Sequence, residues 1–196
     1  MNLNVYLTFS SNIVYHVIKI SSLAKDAEIK TFMMEGFPVH LTLYLTEYSS
    51  EMLDEILQKV EQISKTKQID IVTTNLERIG TWLFLQTVKS PELLNLHKEC
   101  VRLLSPLRDK AMKKPEWLSK KSPKHTSFLQ YGSPNVDTFF DPHITLLANG
   151  DPEKVDTFIK QNPLKPIVGK AIALAIGEAD KNGQITKEIV SWKLRI

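Results

Sequence analysis

In Phe37-Pro38-Val39-His40-Leu41-Thr42-Leu43-Tyr44-Leu45 the stretch from Val39 to Leu45 is rich in β-branched, aromatic and alternating polar residues, and it reads as a strand. Successive side chains of a strand point to opposite faces, so His40 and Thr42 share one face while Leu41 and Leu43 share the other. Farther along, Phe139-Phe140-Asp141-Pro142-His143-Ile144-Thr145-Leu146-Leu147 repeats that character. A turn at Asp141-Pro142 enters a strand with His143 and Thr145 on one face and Ile144 and Leu146 behind them. In each strand the apolar row anchors to a core and leaves an imidazole and a hydroxyl facing away from it.

The segments after the two strands are alike. After the first, Ser50 can cap a helix carrying Met52, Leu53, Ile56, Leu57, Val60 and Ile63 on one face. Strands at about 69–78 and 81–88 come next, around a turn at Gly80. After the second, Asp151-Pro152-Glu153 opens a capped helix with Val155, Phe158 and Ile159 on its apolar side. Strands at about 168–178 and 184–195 then join across Lys181-Asn182-Gly183, whose Asn-Gly pair is a hairpin signal. Residues 39–88 and 142–195 therefore each read strand, helix, strand, strand, a duplication of pattern rather than identity. The expectation is an α/β fold of the α+β kind. It is bilobal and duplicated, with two mostly antiparallel sheets around a pseudo-twofold cleft and helices outside, and residues 1–196 form a single domain.

The remaining segments frame these repeats. Val5–Phe9 reads as an opening strand, followed by a helix to about Lys30. Ser90-Pro91-Glu92 opens a helix that ends near Leu104, before Pro106. Arg108, Lys110, Lys113, Lys114, Lys120, Lys121 and Lys124 then follow, broken by Pro115 and Pro123, in a segment that reads as a basic, partly irregular loop.

A net charge of +3 permits an anionic partner without requiring one. Cys100, the only cysteine, rules out an intramolecular disulfide and reads as a buried structural thiol in an apolar helix. No apolar run reaches the roughly 18 residues that span a bilayer, and the first residues lack the pattern of a signal peptide. A cytoplasmic protein with no membrane partner, acting as a monomer, is expected.

Two polar strand faces across a cleft would bring two imidazoles and two hydroxyls into one small volume. Threonine hydroxyls can donate to the non-bridging oxygens of a phosphate, and histidines can pass protons on either side of an in-line displacement. Such chemistry needs no metal or nucleotide cofactor, and a zinc site is disfavoured because no third ligand lies at local spacing. The expected catalytic pair is His40 and His143, with Thr42 and Thr145 binding phosphate. One His-x-Thr is weak evidence, but two at equivalent points of a duplicated unit are much stronger.

With Phe37-Pro38-Val39-His40-Leu41-Thr42-Leu43 and Phe140-Asp141-Pro142-His143-Ile144-Thr145-Leu146, the chain resembles the two-histidine (2H) phosphoesterase superfamily. That superfamily includes RNA 2′,3′-cyclic phosphodiesterases and proteins called 2′-5′ RNA ligases. The resemblance implies a bilobal fold with antiparallel strands lining a cleft and metal-independent phosphodiester chemistry on RNA or a small nucleotide. By the same analogy His143 activates water, His40 protonates the departing ribose oxygen, and the two threonines hold the phosphate. Candidate substrate contacts are Trp117 and His125 at the basic loop, with a base-stacking side chain supplied from among Tyr131, Phe139 and Phe140, at least one of which is expected in the core. Asp141 either orients His143 or caps the turn before Pro142, the turn role being favoured, and His16 and His97 read as local structural groups. A 2′-5′ RNA ligase uses the same acid and base in reverse. Two competing readings are a noncatalytic RNA-binding module on the same fold and a metal-dependent hydrolase.

Overall fold

Side-chain caps start two of the helices where the sequence marks them. Ser90 Oγ accepts from the Leu93 N–H at 3.2 Å, and Asp151 Oδ1 accepts from the N–H groups of Glu153 and Lys154 at 2.9 and 3.1 Å. The computed structural model describes residues 1–196. In chain order the elements are β1 (Asn2–Phe9), α1 (Ser11–Asp26), β2 (Leu41–Glu47), α2 (Leu53–Ser64), β3 (Ile69–Ile79) and β4 (Trp82–Thr87). They continue with α3 (Pro91–Leu104), α4 (Pro123–Tyr131), β5 (His143–Leu147), α5 (Pro152–Gln161), β6 (Ile167–Ala179) and β7 (Ile185–Lys193). Ser50 does not cap α2. It begins a short 3₁₀ turn, Ser50–Met52, and α2 starts at Leu53 without a side-chain cap.

The fold is α+β with every strand pair antiparallel, but its strands form one sheet rather than two. The order is β2-β1-β6-β3-β4-β5, with β7 added on β6. The halves fuse because Ile69–Thr73 of β3 pairs with Ala171–Ile167 of β6. Around that seam β2-β1-β6 corresponds to β5-β4-β3. The counterpart of β4 is thus β1, at the start of the chain, and not β7 as the order of elements suggests.

The core is shared across the seam. Leu3, Val5 and Leu7 of β1, Leu174 and Ile176 of β6, and Leu83, Leu85, Ile144 and Leu146 of β4 and β5 belong to one contiguous cluster of buried side chains. Against it α1 and α2 pack on β6, α5 packs on β3, and α3 lies on α2 and β2. Tyr6 and Ala175, which pair in register, sit outside this core in a small separate cluster with Ile185. β1 therefore presents Asn4 and Tyr6 to the face opposite Leu3, Val5 and Leu7.

The basic segment is more ordered than a loop reading allows. Successive turns bond Leu118 N–H to Pro115 O and Ser122 N–H to Ser119 O, Leu118 is buried, and Pro123–Tyr131 is helical beyond Ser122. Pro123 belongs to that helix as its first residue, where its missing N–H costs nothing. No helix is long and apolar enough to cross a membrane.

Candidate active site

Each motif threonine is followed by a β-bulge. Register passes from Val5↔Tyr44 to Tyr6↔Thr42, skipping Leu43, and from Leu83↔Leu147 to Phe84↔Thr145, skipping Leu146. The extra residue lets two consecutive side chains turn inward, Leu43 with Tyr44 and Leu146 with Leu147, while Thr42 and Thr145 stay half-buried on the other face. Regular alternation beyond Thr42 is thereby broken: Leu45 is half-exposed and Tyr44 is core.

The two histidines are held alike. His40 lies one residue before β2 rather than within it, and its Nδ1–H donates to the carbonyl of Pro38 at 3.0 Å. His143 opens β5, and its Nδ1–H donates to the carbonyl of Asp141 at 2.7 Å. A carbonyl only accepts, so the proton of each neutral ring sits on Nδ1 and Nε2 is left to take part in proton transfer. Asp141 orients His143 through its backbone rather than its carboxylate. His40 is buried and His143 half-buried.

The inner neighbours supply a ring to each histidine. Tyr6 of β1 stands edge-on to His40, with centroids 5.5 Å apart and planes at 70°. Its hydroxyl donates to Glu188 Oε2 at 2.9 Å. Phe84 of β4 packs on His143 at 4.3 Å, and Trp82 stacks on Phe84 at 6.1 Å. Gln86 is paired with His143 in register and donates to Glu77 Oε2 at 2.6 Å. Thr42 Oγ1 accepts from Nδ2 of the buried Asn4 at 2.8 Å. None of Asn4, Tyr6, Phe84 or Gln86 is marked in the sequence as a site residue. The one signal for them is that strands neighbouring the motifs must line the same face.

The sheet's outer strands, β2 and β5, approach one another, and the charge of His143 acts on His40, so the two motifs are neighbours in space. Burial lowers the pKa of His40. The carbonyls of Pro38 and Gly183 oppose that shift, the charge of His143 adds to it, and Asp180 opposes it. Burial also lowers the pKa of His143, against the Asp141 carbonyl and the charges of Asp141 and Glu77, while Lys124 lowers it further. Both rings are therefore predominantly neutral at pH 7 in the free protein.

The other expected contacts separate. Phe140 is not a base-stacking residue: it is buried in the core and lies flat on His97. Tyr131 also packs against the core, at the end of α4, and its carbonyl accepts from the Tyr44 hydroxyl. Phe139 is half-buried in the 3₁₀ turn Asp137–Phe139. Trp117 is 66% exposed, and His125 is half-buried beside Lys124, whose charge acts on His143. No cluster of three or more His, Cys, Asp or Glu side chains is placed to hold a metal ion. A cavity of about 370 Å³ lined by Glu28, Glu35, Asn149, Asp151 and Lys154 includes none of the four motif residues.

No family model and no curated protein matches the chain in sequence. Solved structures do match in fold. TT0787 of Thermus thermophilus has a TM-score of 0.62 at 16% identity, with 100% of this chain and 98% of that one covered. E. coli LigT complexed with 3′-AMP has a TM-score of 0.56 at 13% identity, covering 100% and 98%. A structure described as a phosphoesterase has a TM-score of 0.54 at 12% identity, covering 100% and 99%. At such identities the likeness is one of fold.

Proposed function

We propose that this chain is a two-histidine phosphoesterase that hydrolyses RNA ends bearing a 2′,3′-cyclic phosphate, or related cyclic or 2′-5′ linked nucleotides, without a metal. The observation that carries the reading is the matched pair of Nδ1–H bonds to the carbonyls of Pro38 and Asp141, which leaves two Nε2 atoms for proton transfer on the segments that also carry Thr42 and Thr145. The shared fold with a phosphoesterase and with LigT, which is seen bound to 3′-AMP, supports it.

In this reading the phosphate sits between the motifs and accepts from Thr42 and Thr145. His143, the more exposed ring, takes a proton from water as the water oxygen bonds to phosphorus. His40 gives its proton to the ribose 3′ oxygen as the P–O3′ bond breaks, and a 2′-phosphate is left. His40 must be charged for this step. The substrate's anionic phosphate favours that charge by opposing the effect of burial. A 2′-5′ ligase would run the same steps with a ribose 5′ hydroxyl in place of water, so that the 2′-phosphate is formed as a 2′-5′ diester.

The test is turnover of a 2′,3′-cyclic nucleotide and of a short RNA ending in a cyclic phosphate, with chelator present. His40→Ala and His143→Ala are each expected to lose roughly 10²–10⁴-fold in kcat. Wild-type turnover that survives either substitution would overturn the mechanism, and a product carrying only a 3′-phosphate would reverse the choice of leaving oxygen.

A further inference from the structure

We infer that Asn4 is a positioning residue of this site: its amide fixes the Thr42 hydroxyl as a hydrogen-bond donor toward the phosphate and so makes the two threonines unequal. The inference rests on the phosphoesterase reading and adds to it a division of labour between the motifs.

Asn4 is fully buried in β1, a strand paired on both edges, and its Oδ1 has no hydrogen-bond partner. An unmet buried acceptor is destabilising, and an aliphatic side chain would avoid that cost. The amide nitrogen, in contrast, is engaged twice. It lies 3.1 Å from the carbonyl of Gly183 and 2.8 Å from Thr42 Oγ1. Because the Gly183 carbonyl can only accept, the end of the amide facing it must be the NH₂ group. Thr42 Oγ1 then receives one of the two amide protons, and its own proton must point elsewhere. Thr42 lies on the half-buried cleft face, so that direction is the one a bound phosphate would occupy.

Thr145 has no such partner. The β4 counterpart of Asn4 is Trp82, whose ring stacks on Phe84 and makes no hydrogen bond to Thr145, so the Thr145 hydroxyl can rotate. The Gly183 carbonyl lies beside the His40 ring as well, which puts the Asn4 amide at the junction of β1, the His40–Thr42 motif and the β6–β7 hairpin. A donor oriented before the phosphate arrives needs no reorientation as charge builds on the phosphoryl oxygens, and it therefore favours the transition state.

The test is a double-mutant cycle in kcat and KM on a 2′,3′-cyclic nucleotide, with Asn4→Leu, Thr42→Val and the pair. Expected are roughly tenfold to hundredfold losses of kcat in each single variant, little change in KM, and a double variant no slower than Thr42→Val. Losses that multiply, or an unchanged kcat in Asn4→Leu, overturn the inference while leaving the phosphoesterase reading intact. Asn4→Asp keeps the side-chain shape and replaces the donor with an acceptor, so it should reproduce the loss even if Asn4→Leu fails to fold. Wild-type turnover in Asn4→Asp also overturns the inference. Where wild type hydrolyses no phosphodiester, titration with inorganic phosphate decides. A roughly tenfold weaker Kd, shared by Asn4→Asp, Thr42→Val and their combination, sustains the positioning role without the hydrolytic reading. No binding by wild type ends both.

Discussion

His97 lies flat on Phe140, with ring centroids 3.9 Å apart and planes 6° from parallel, and through it α3 holds β2 and the segment that leads into β5. Its Nδ1–H donates at 2.7 Å to the carbonyl of Leu43, the bulged residue after Thr42. Its Nε2 accepts at 3.0 Å from the N–H of Asp137, in the turn leading to His143. A neutral histidine satisfies both bonds, and no apolar residue could.

His97→Phe keeps a stacked ring but orphans a buried carbonyl and an N–H. The expected loss is about 2–4 kcal/mol of stability. It would be read as a lower urea midpoint with an unchanged slope, and an unchanged midpoint would refute the bracing role.

Acid should act through the same residue. Burial, first among the causes, lowers the pKa of His97 to about 4. The unfolded chain, with an ordinary histidine pKa of about 6.5, then binds this proton first as pH falls. Stability from this group is complete above about pH 6.5 and declines toward about pH 4, by up to about 3 kcal/mol. Unfolding free energies at about pH 7.5, 5.5 and 4.5 test this: the acid-side slope should be shallower in His97→Phe, where only groups such as His40 and His143 remain to contribute.

The proposed catalytic pair predicts a pH profile. Both His40 and His143 have pKa values pushed down by burial, and turnover needs one ring charged and the other neutral. The bell in kcat/KM should therefore centre below about pH 6.5 and fall as pH rises past the folded pKa of the acid. Bound phosphate favours the charged ring, so the bell in kcat should lie to the alkaline side of it. A kcat/KM optimum at about pH 8 would contradict this.

Phe84→Ala removes the ring packed on His143 while leaving the bond to Asp141 in place. Loss of that support should lower kcat about tenfold, with a smaller effect on KM. Equal loss on mononucleotide and oligonucleotide substrates is expected, since the ring acts on the histidine.

The basic segment should behave otherwise. Lys113, Lys120 and Lys121 are exposed around Trp117, and the helix that follows brings Lys124 near His143. Replacing the three exposed lysines with glutamate should raise KM for an RNA strand about tenfold or more and flatten its salt dependence, while a mononucleotide is turned over as before. Identical effects on both substrates would show that the segment takes no part in holding a strand.

Local rules read much of this architecture from the chain. Ser90 and Asp151 cap helices because the hydroxyl and carboxylate reach their N–H groups within one turn, and the His-x-Thr strands are readable because alternation places both polar groups on one face. The unreadable part depends on partners distant in sequence. Asn4 looks like a surface asparagine until β1 is known to lie between β2 and β6. Phe140 reads as a ligand contact because nothing near it in sequence reveals His97. The helix Pro123–Tyr131 is hidden by its many polar residues, since its burial rests mainly on Phe128.

The seam between β3 and β6 also governs how the protein can be made. β6, the penultimate strand, pairs with β1 along one edge and with β3 at its start, so the first strand synthesised waits for almost the last. While the ribosome is still adding residues before Ile167, β1 has only β2 beside it and β3 only β4, each leaving backbone groups open to mispairing. Such long-range closure makes folding slow and nearly all-or-none. A nascent chain stalled before β6 would already contain His40, Thr42, His143 and Thr145, yet it would lack the strand that joins their two halves of the sheet.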